Sequence, residues 1–392
     1  MAEVARRDGI DEGEISTAVT RTDGISEEEI YTASQWQLMW WRFRKHKLAM
    51  ISLVVLVVFY FVAIFCEFVA PYDPRAYDAG YRLAPPSTLR IRDAQGNFHW
   101  PFVYDFVQIR DPETRRITYE EDIGGTRYPI QLFVRGSQYK MWGLWDMDIH
   151  LFGVPGTEEG MPPFFLLGTD RLGRDMFSRI VTGARISLSI GLVGVFLSLF
   201  LGILLGGLSG YFGGILDDVI QRVIELIRSI PSIPLWMALS AAIPTGWPIV
   251  RVYFLITIVL SFVGWTWMAR VVRGRFLSLR SEDFVLASRL VGASEMRVIF
   301  RHMLPSFLSY IIAALTLSIP NMILAETALS FIGVGLRAPA ISWGVLLQAA
   351  QNVRVLALAP WLLYPGVALV IAVLAFNFVG DGLRDAADPY SR

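Results

Sequence analysis

Cysteine occurs once in these 392 residues, at Cys66, which excludes an intramolecular disulfide framework and any cysteine-built metal cluster. Histidine is nearly as scarce. His46, His99, His150 and His302 stand far apart, with no spacing that would bring two of them onto one metal ion. Net charge is absent as well: 35 Lys and Arg balance 35 Asp and Glu, so bulk electrostatics favour neither nucleic acid nor an acidic ligand. No G-x4-G-K-[ST] loop is present to cradle phosphates, and no Ser/His/Asp order or carboxylate pair stands in a context that would close a reaction site. The first 35 residues lack the apolar core of a cleavable leader. Acidic residues outnumber arginines there, and segment 1–35 reads as a disordered cytoplasmic tail.

What the chain does have is apolar length. Hydrophobic residues make up 54% and charged residues 18%, the balance of an all-α polytopic membrane protein. Six uncharged stretches are long enough to cross a bilayer: Leu48–Cys66, Ile186–Leu208, Ser229–Val250, Val252–Ala269, Met303–Ala325 and Val355–Gly380. The third carries Pro231, Pro234, Pro244 and Pro248, and its helix could begin earlier, near Ile215. A proline-broken span survives at membrane depth only where neighbours or a water-filled cavity satisfy the freed backbone, so it is expected beside a pathway. With the N-terminus inside, the inner connections hold fifteen Lys and Arg and the short outer loops three, which predicts cytoplasmic N- and C-termini. Ahead of the first span, Trp36, Trp40 and Trp41 alternate with Arg42, Arg44 and Lys45, the pattern of an interfacial elbow helix over 36–47 or a plain extension of the span. In the second span Gly194, Ser198, Gly202, Gly206 and Gly210 recur every four residues, a small-residue face for close packing within the bundle or against a partner.

Between the first two spans lies an extracytoplasmic insert, 71–165, of different texture. Val103–Arg110 and Arg115–Glu120 flank Asp111-Pro112-Glu113-Thr114, a type I turn signal, and predict a β-hairpin; Tyr128–Val134 is a third strand candidate. Trp142, Trp145, Asp146 and Asp148 interleave aromatics with carboxylates. They could form a platform for a sugar ring or a peptide amine, the small core of a β-rich cap, or a contact for a docking protein.

Glu282–Pro305 is a charged, amphipathic stretch between two apolar ones. Ser281 is a suitable N-cap, Glu282 and Asp283 suit a helix N-terminus, Phe284, Ala287, Leu290 and Val291 recur on one face, and Gly292 can close the helix in a left-handed conformation. Ala287, Gly292, Leu304 and Pro305 fall at the A-x4-G-x11-L-P spacing of the "EAA" loop, although Leu286-Ala287-Ser288 replaces Glu-Ala-Ala. Gly168-Thr169-Asp170-Arg171-Leu172-Gly173-Arg174-Asp175, the run Ala325–Leu336, Trp343-Gly344 and Gly380–Asp385 also resemble the C-type permease subunit of dipeptide and oligopeptide ABC importers. The likeness covers about 36–71 and 165–390.

That resemblance implies the MetI-like, six-helix type I importer fold, with a first helix at 48–70, a permease core at 166–390 and a coupling loop at 276–305. It implies an ATPase-coupling surface at Glu282, Asp283, Phe284, Ala287, Ser288, Gly292, Ala293, Leu304 and Pro305. The implied partners are a homologous permease, two ATPase subunits that carry ATP and Mg, and an external solute-binding protein, all at the bacterial inner membrane. Pathway or gate candidates are Pro231, Pro234, Pro320, Asn321 and Glu326; Pro320 could equally be a static kink, and Glu326, an intramembrane carboxylate near the predicted outer end of its span, could equally be exposed at the interface or hold a structural hydrogen bond. Thr169 is expected to cap a short helix decorated by Arg171, Arg174 and Arg179. The family also includes importers of oligosaccharides and of nickel. Oligosaccharide remains an alternative cargo, while the missing His and Cys cluster disfavours nickel. From other classes, a membrane-embedded enzyme or a scaffold with an external β domain stays open.

Overall fold

The computed structural model describes residues 33–110, 112, 117–155, 163–244 and 246–387. The acidic tail up to residue 32 and most of the expected turn at 111–114 lie outside them.

The chain begins with α1 (Gln35–Lys45), opened by a capping box in which Ser34 and Gln37 bond each other's backbone N–H. It is separate from the span that follows. The backbone breaks at His46, whose Nδ1 accepts from Ala49 N and starts α2 (Lys47–Ile64). A short turn, α3 (Cys66–Val69), leads into the insert.

Among the described residues the insert holds seven strands: β1 (Arg90–Arg92), β2 (Phe98–Tyr104), β3 (Phe106–Arg110), β4 (Ile117–Glu121), β5 (Arg127–Pro129), β6 (Gln131–Met141) and β7 (Trp145–Gly153). They form a β1-β2-β5 sheet and two antiparallel pairs, β3-β4 and β6-β7. The expected hairpin is present as β3-β4, with Arg110 opposite Ile117, but Val103 and Tyr104 belong to β2. The third candidate is split at Ile130 between β5 and β6, because its two halves pair with different neighbours. Tyr72, Ala84, Val103, Val154, Phe164 and Phe165 make the insert's own small core.

The first long helix after the insert is α4 (Met176–Phe212). Thr169 does not cap a helix: its hydroxyl accepts from Ala84 N, and residues 169–175 form a tight loop. Asp170 closes that loop by accepting from Leu172 N, Arg174 N and Arg174 Nε. Arg179 is buried rather than decorating a surface. The cap is Asp175, which accepts from Ser178 N at 2.7 Å; burial pushes its carboxyl up to about 6, and its second oxygen has no partner among the described residues.

Next come α5 (Gly214–Ser229), α6 (Ser232–Ala241), α7 (Ile249–Leu279), α8 (Asp283–Leu290), α9 (Leu308–Ile332), α10 (Trp343–Gln348), α11 (Val353–Leu358) and α12 (Tyr364–Ala387). Helices α2, α4, α7, α9 and the stretch Pro360–Ala387 are each long and apolar enough to span a bilayer. The expected third span is not one helix. Its Ser229–Val250 window is cut at Ile230-Pro231 and again before Pro248, and α5 meets α6 at 86°. The last span starts later than expected, because Ala359-Pro360 separates it from α11.

The small-residue stripe fixes the geometry. A Cβ on Gly202 would meet Met268, on Gly206 the Ala269 carbonyl, and on Gly210 the Arg273 backbone, while Ser261 Oγ donates to the Gly194 carbonyl at 2.9 Å. Ser198 Oγ lies against Ser261 and Gly264. The stripe therefore packs α4 on α7 inside one chain. The contacts advance together along both helices, so α4 and α7 run parallel. Residues 213–248 must carry the chain back across the bundle, and the bent pair α5–α6 is the sixth crossing. One end of the bundle bears the insert. The other bears the ends of α4 and α7, the start of α2 and the end of α12, where Gly382 packs on Ala49 and Phe43.

Candidate coupling surface and membrane cavity

Helix α8 sits at the bundle end opposite the insert, directly after α7. Glu282, not Ser281, occupies its N-cap position, with no side-chain cap; Ser281 Oγ instead turns back to the Ser278 carbonyl. Asp283 lies in the first turn. The helix has two unequal faces. Val285 is fully buried with Tyr211, Phe276, Val298 and Met303, and Ser288 and Ala293 are half-buried on the same side. Phe284, Ala287, Leu290 and Val291 point outward, Leu290 and Val291 at 88% and 89% exposure. Gly292 takes φ +82°, which a side chain would strain, and lets the chain leave without covering that face.

A cation–π contact seats α8 on the bundle, and an ion-pair clasp joins α4, α5 and α7 at the same end. Arg289 lies over the Tyr211 ring of α4 at 4.7 Å. Beside it, Arg273 of α7 forms a two-pronged pair with Asp217 of α5 at 2.6 and 2.5 Å, and Ser209 of α4 bonds the same carboxylate. Reading the sequence missed this three-helix clasp. Its only signal was an acid next to the glycine turn Gly213-Gly214. After α8 the chain passes through a wide π turn, Val298–Met303, and then Leu304–Ser306 with Pro305 in its first turn. The span proper begins at Leu308, five residues later than expected.

A cavity of about 430 Å³ opens within the bundle where α5 breaks into α6, bounded also by α4, α7 and α9. Pro231 and Asn321 line it, together with Arg228, Trp236, Trp267 and Met322. Pro234, Pro320 and Glu326 do not. Pro320 is buried inside an unbroken α9, and Pro234 lies on the exposed side of α6.

Glu326 lies fully buried inside α9, which runs on to Ile332, rather than near that helix's outer end. Ser330 and Ser342 donate to one carboxylate oxygen at 2.8 and 2.9 Å, and Ser187 and Thr327 reach the other at 3.4 and 3.5 Å. Three of these hydroxyls also accept a backbone N–H: Ser330 from Leu336, Ser342 from Val345 and Ser187 from Trp343. The carboxylate thus pins α10 and the loop before it onto α4. Such a satisfied buried acid is a structural post and leaves no free oxygen to face a cargo.

In the insert, Trp142 is 45% exposed and partly engaged. Its N–H donates to the Ile64 carbonyl at 2.7 Å and its ring meets Phe65 at 5.6 Å. Among the described residues no group of three or more His, Cys, Asp or Glu is arranged to hold a metal.

Comparison with known proteins gives these features a context. Residues 198–392 match the sequence model of the binding-protein-dependent transport system inner membrane component, and 34–86 match the N-terminal TM domain of oligopeptide transport permease C. The oligopeptide transport system permease protein OppC of Salmonella typhimurium (strain LT2) is 39% identical over 242 residues, 62% of this chain and 78% of that protein. The dipeptide transport system permease protein DppC of Bacillus subtilis (strain 168) is 38% identical over 240 residues, 60% of this chain and 72% of that protein. Among solved structures, the inward-facing MetNI methionine ABC transporter covers 54% of this chain and 97% of its own, at 22% identity and a TM-score of 0.42. The stretch 87–197, which includes every strand but none of α8, falls outside both sequence models. The chain belongs to the family of inner-membrane components of binding-protein-dependent transport systems.

Proposed function

We propose that the chain is the C-type permease subunit of an ABC importer for oligopeptides or dipeptides, seated in the bacterial inner membrane with both termini cytoplasmic. The outward apolar face of α8 carries this reading. A folded chain gains nothing by holding Leu290 and Val291 in water beside a fully seated Val285, unless another protein covers them. The occupant that fits is an ATPase groove, since α8 stands among the arginine-rich inner connections and the chain has no phosphate loop of its own.

In this assembly ATP and Mg belong to two partner ATPases. Their closure draws on α8, and the clasp of Asp217, Arg273 and Ser209 ties that end of α7 to α5 and so to the break at Ile230-Pro231. The 430 Å³ cavity beside that break is the part of the pathway this subunit contributes, completed by a homologous permease. A solute-binding protein delivers cargo at the insert end. Peptide is favoured over oligosaccharide by the names of the relatives.

Affinity purification from mild detergent, with mass spectrometry of what remains bound, tests the assembly. Recovery of a second six-span permease and one or two ATPases is expected. Recovery of the chain alone, under conditions that keep other membrane complexes intact, rejects it. Competition of unlabelled peptides and oligosaccharides against uptake of a labelled peptide tests the cargo.

A further inference from the structure

The β6-β7 hairpin has no place in the transport reading, yet its tip gathers exposed apolar side chains outside the spans. Leu144 is 71%, Trp145 57% and Trp142 45% exposed, and Met147 is exposed two residues beyond Trp145. The tip is also held at a definite height. Trp142 N–H donates to the carbonyl of Ile64, the last residue of the spanning helix α2. An unbroken aromatic ladder follows: Phe61 to Phe65 at 4.9 Å, Phe65 to Trp142 at 5.6 Å, and Trp142 to Trp145 at 5.7 Å. Phe61 belongs to the exposed apolar face of α2 that also presents Val54, Val57 and Val58. The apolar surface of the span thus runs without a gap onto the hairpin tip.

Strand alternation makes that tip two-sided. Met141 and Tyr139 pair with Trp145 and Met147, while Lys140 opposite Asp146 forms an exposed ion pair on the other face. One face is aromatic and apolar and the other charged, at the level where a span ends. Indole rings with an apolar body and a polar N–H favour this layer of a bilayer.

We infer that the β6-β7 tip, through Trp142, Leu144 and Trp145, lies in the headgroup region of the outer leaflet and anchors the insert on the lipid surface. The occupant of the patch is the bilayer in which α2 already stands. The anchor fixes the insert against α2, while the exposed Gln95 stands in the β1-β2 turn of a separate sheet.

Spin labels on the full-length chain in lipid nanodiscs test this. In a Cys66→Ala background, labels at Leu144→Cys and Trp145→Cys are compared with one at Gln95→Cys in the exposed β1-β2 turn. The ratio of collision with oxygen to collision with a water-soluble nickel chelate reads immersion. At 144 and 145 it is expected to exceed the value at 95 at least threefold. Equal ratios at all three sites place the tip in water and overturn the proposal. Low collision with both reagents at 144 and 145 means that protein covers the tip, which also overturns it. Two independent labels guard against one substitution displacing the hairpin, and matched elution profiles of labelled and parent protein exclude misfolding.

Discussion

Two residues on one helix separate folding from docking. Val285 faces inward from α8 and is fully buried, whereas Leu290, five residues on, is 88% exposed. Leu290→Ala should leave the isolated chain within about 0.5 kcal/mol of the parent, because an exposed side chain contributes little to folding. If Leu290 inserts into an ATPase groove, the same change removes burial worth about 2 kcal/mol on association, or about 30-fold in Kd. Val285→Ala should do the reverse. Losing two buried methyls from the Tyr211, Phe276, Val298 and Met303 cluster costs the fold about 1.5–3 kcal/mol, with weaker ATPase binding only as far as α8 loosens. Thermal unfolding of each purified variant in nanodiscs gives the first quantity. Titration with the ATPase recovered by co-purification gives the second. The reasoning fails if Leu290→Ala binds within twofold of the parent, or if it lowers the melting midpoint as much as Val285→Ala does.

Gly206→Ala should destabilise the chain by about 1–3 kcal/mol, because the new Cβ would stand 2.4 Å from the Ala269 carbonyl; Gly274→Ala, with open space around it, should melt like the parent. Glu326→Ala should cost about 2–4 kcal/mol by unpinning Ser187, Ser330 and Ser342 together, and protease nicking in the 333–342 loop should rise in step; an unchanged melting curve would remove the post from the argument. Asp175 gives a pH signature. Its carboxyl is raised by burial from 3.8 to about 6, so the folded state favours the protonated acid, and the stability this contributes is complete below pH 3.8 and lost as pH rises towards 6. Asp175→Asn keeps an oxygen for Ser178 N and removes the titration, so the parent's midpoint should fall relative to the variant's between pH 4 and 6, and parallel curves would refute the assignment.

Local signals that depend on neighbours in sequence were legible without coordinates. The spans themselves, the β3-β4 hairpin, the left-handed Gly292 and the outward Leu290 and Val291 all follow from run length, turn chemistry and helical period. The misreadings share a different origin: a capping or packing residue has several candidates nearby, and the choice is made from far away. Ser281 and Thr169 are both good caps by type, yet one bonds back into α7 and the other joins Ala84 across 85 residues. The position of Glu326 was misjudged because the end of α9 is set by the loop it pins, whose serine at 342 lies sixteen residues on. Asp217 and Arg273 are 56 residues apart, and no local pattern joins them.

The broken span shows why such distant choices decide function. Four prolines at 231, 234, 244 and 248 marked 229–250 as unusual, but they could not say where the break would fall. Its position is set at the other end of α5. Asp217, Ser209 and Arg273 hold the start of α5 to α4 and α7, while Ile220, Ile224 and Ile227 press the rest onto Trp265 and Ala269. With α5 laid along that seam, Pro231 cannot donate a backbone hydrogen bond, so the chain turns through 86° there and opens the cavity that Pro231 and Asn321 share. Cavity and clasp are therefore the two ends of one helix. A change at the clasp must alter the cavity or break the helix between them. Asp217→Asn should thus change the accessibility of a cysteine placed at Asn321, as well as lowering stability; if the cavity label reacts as before while the chain melts earlier, the clasp supports the fold alone.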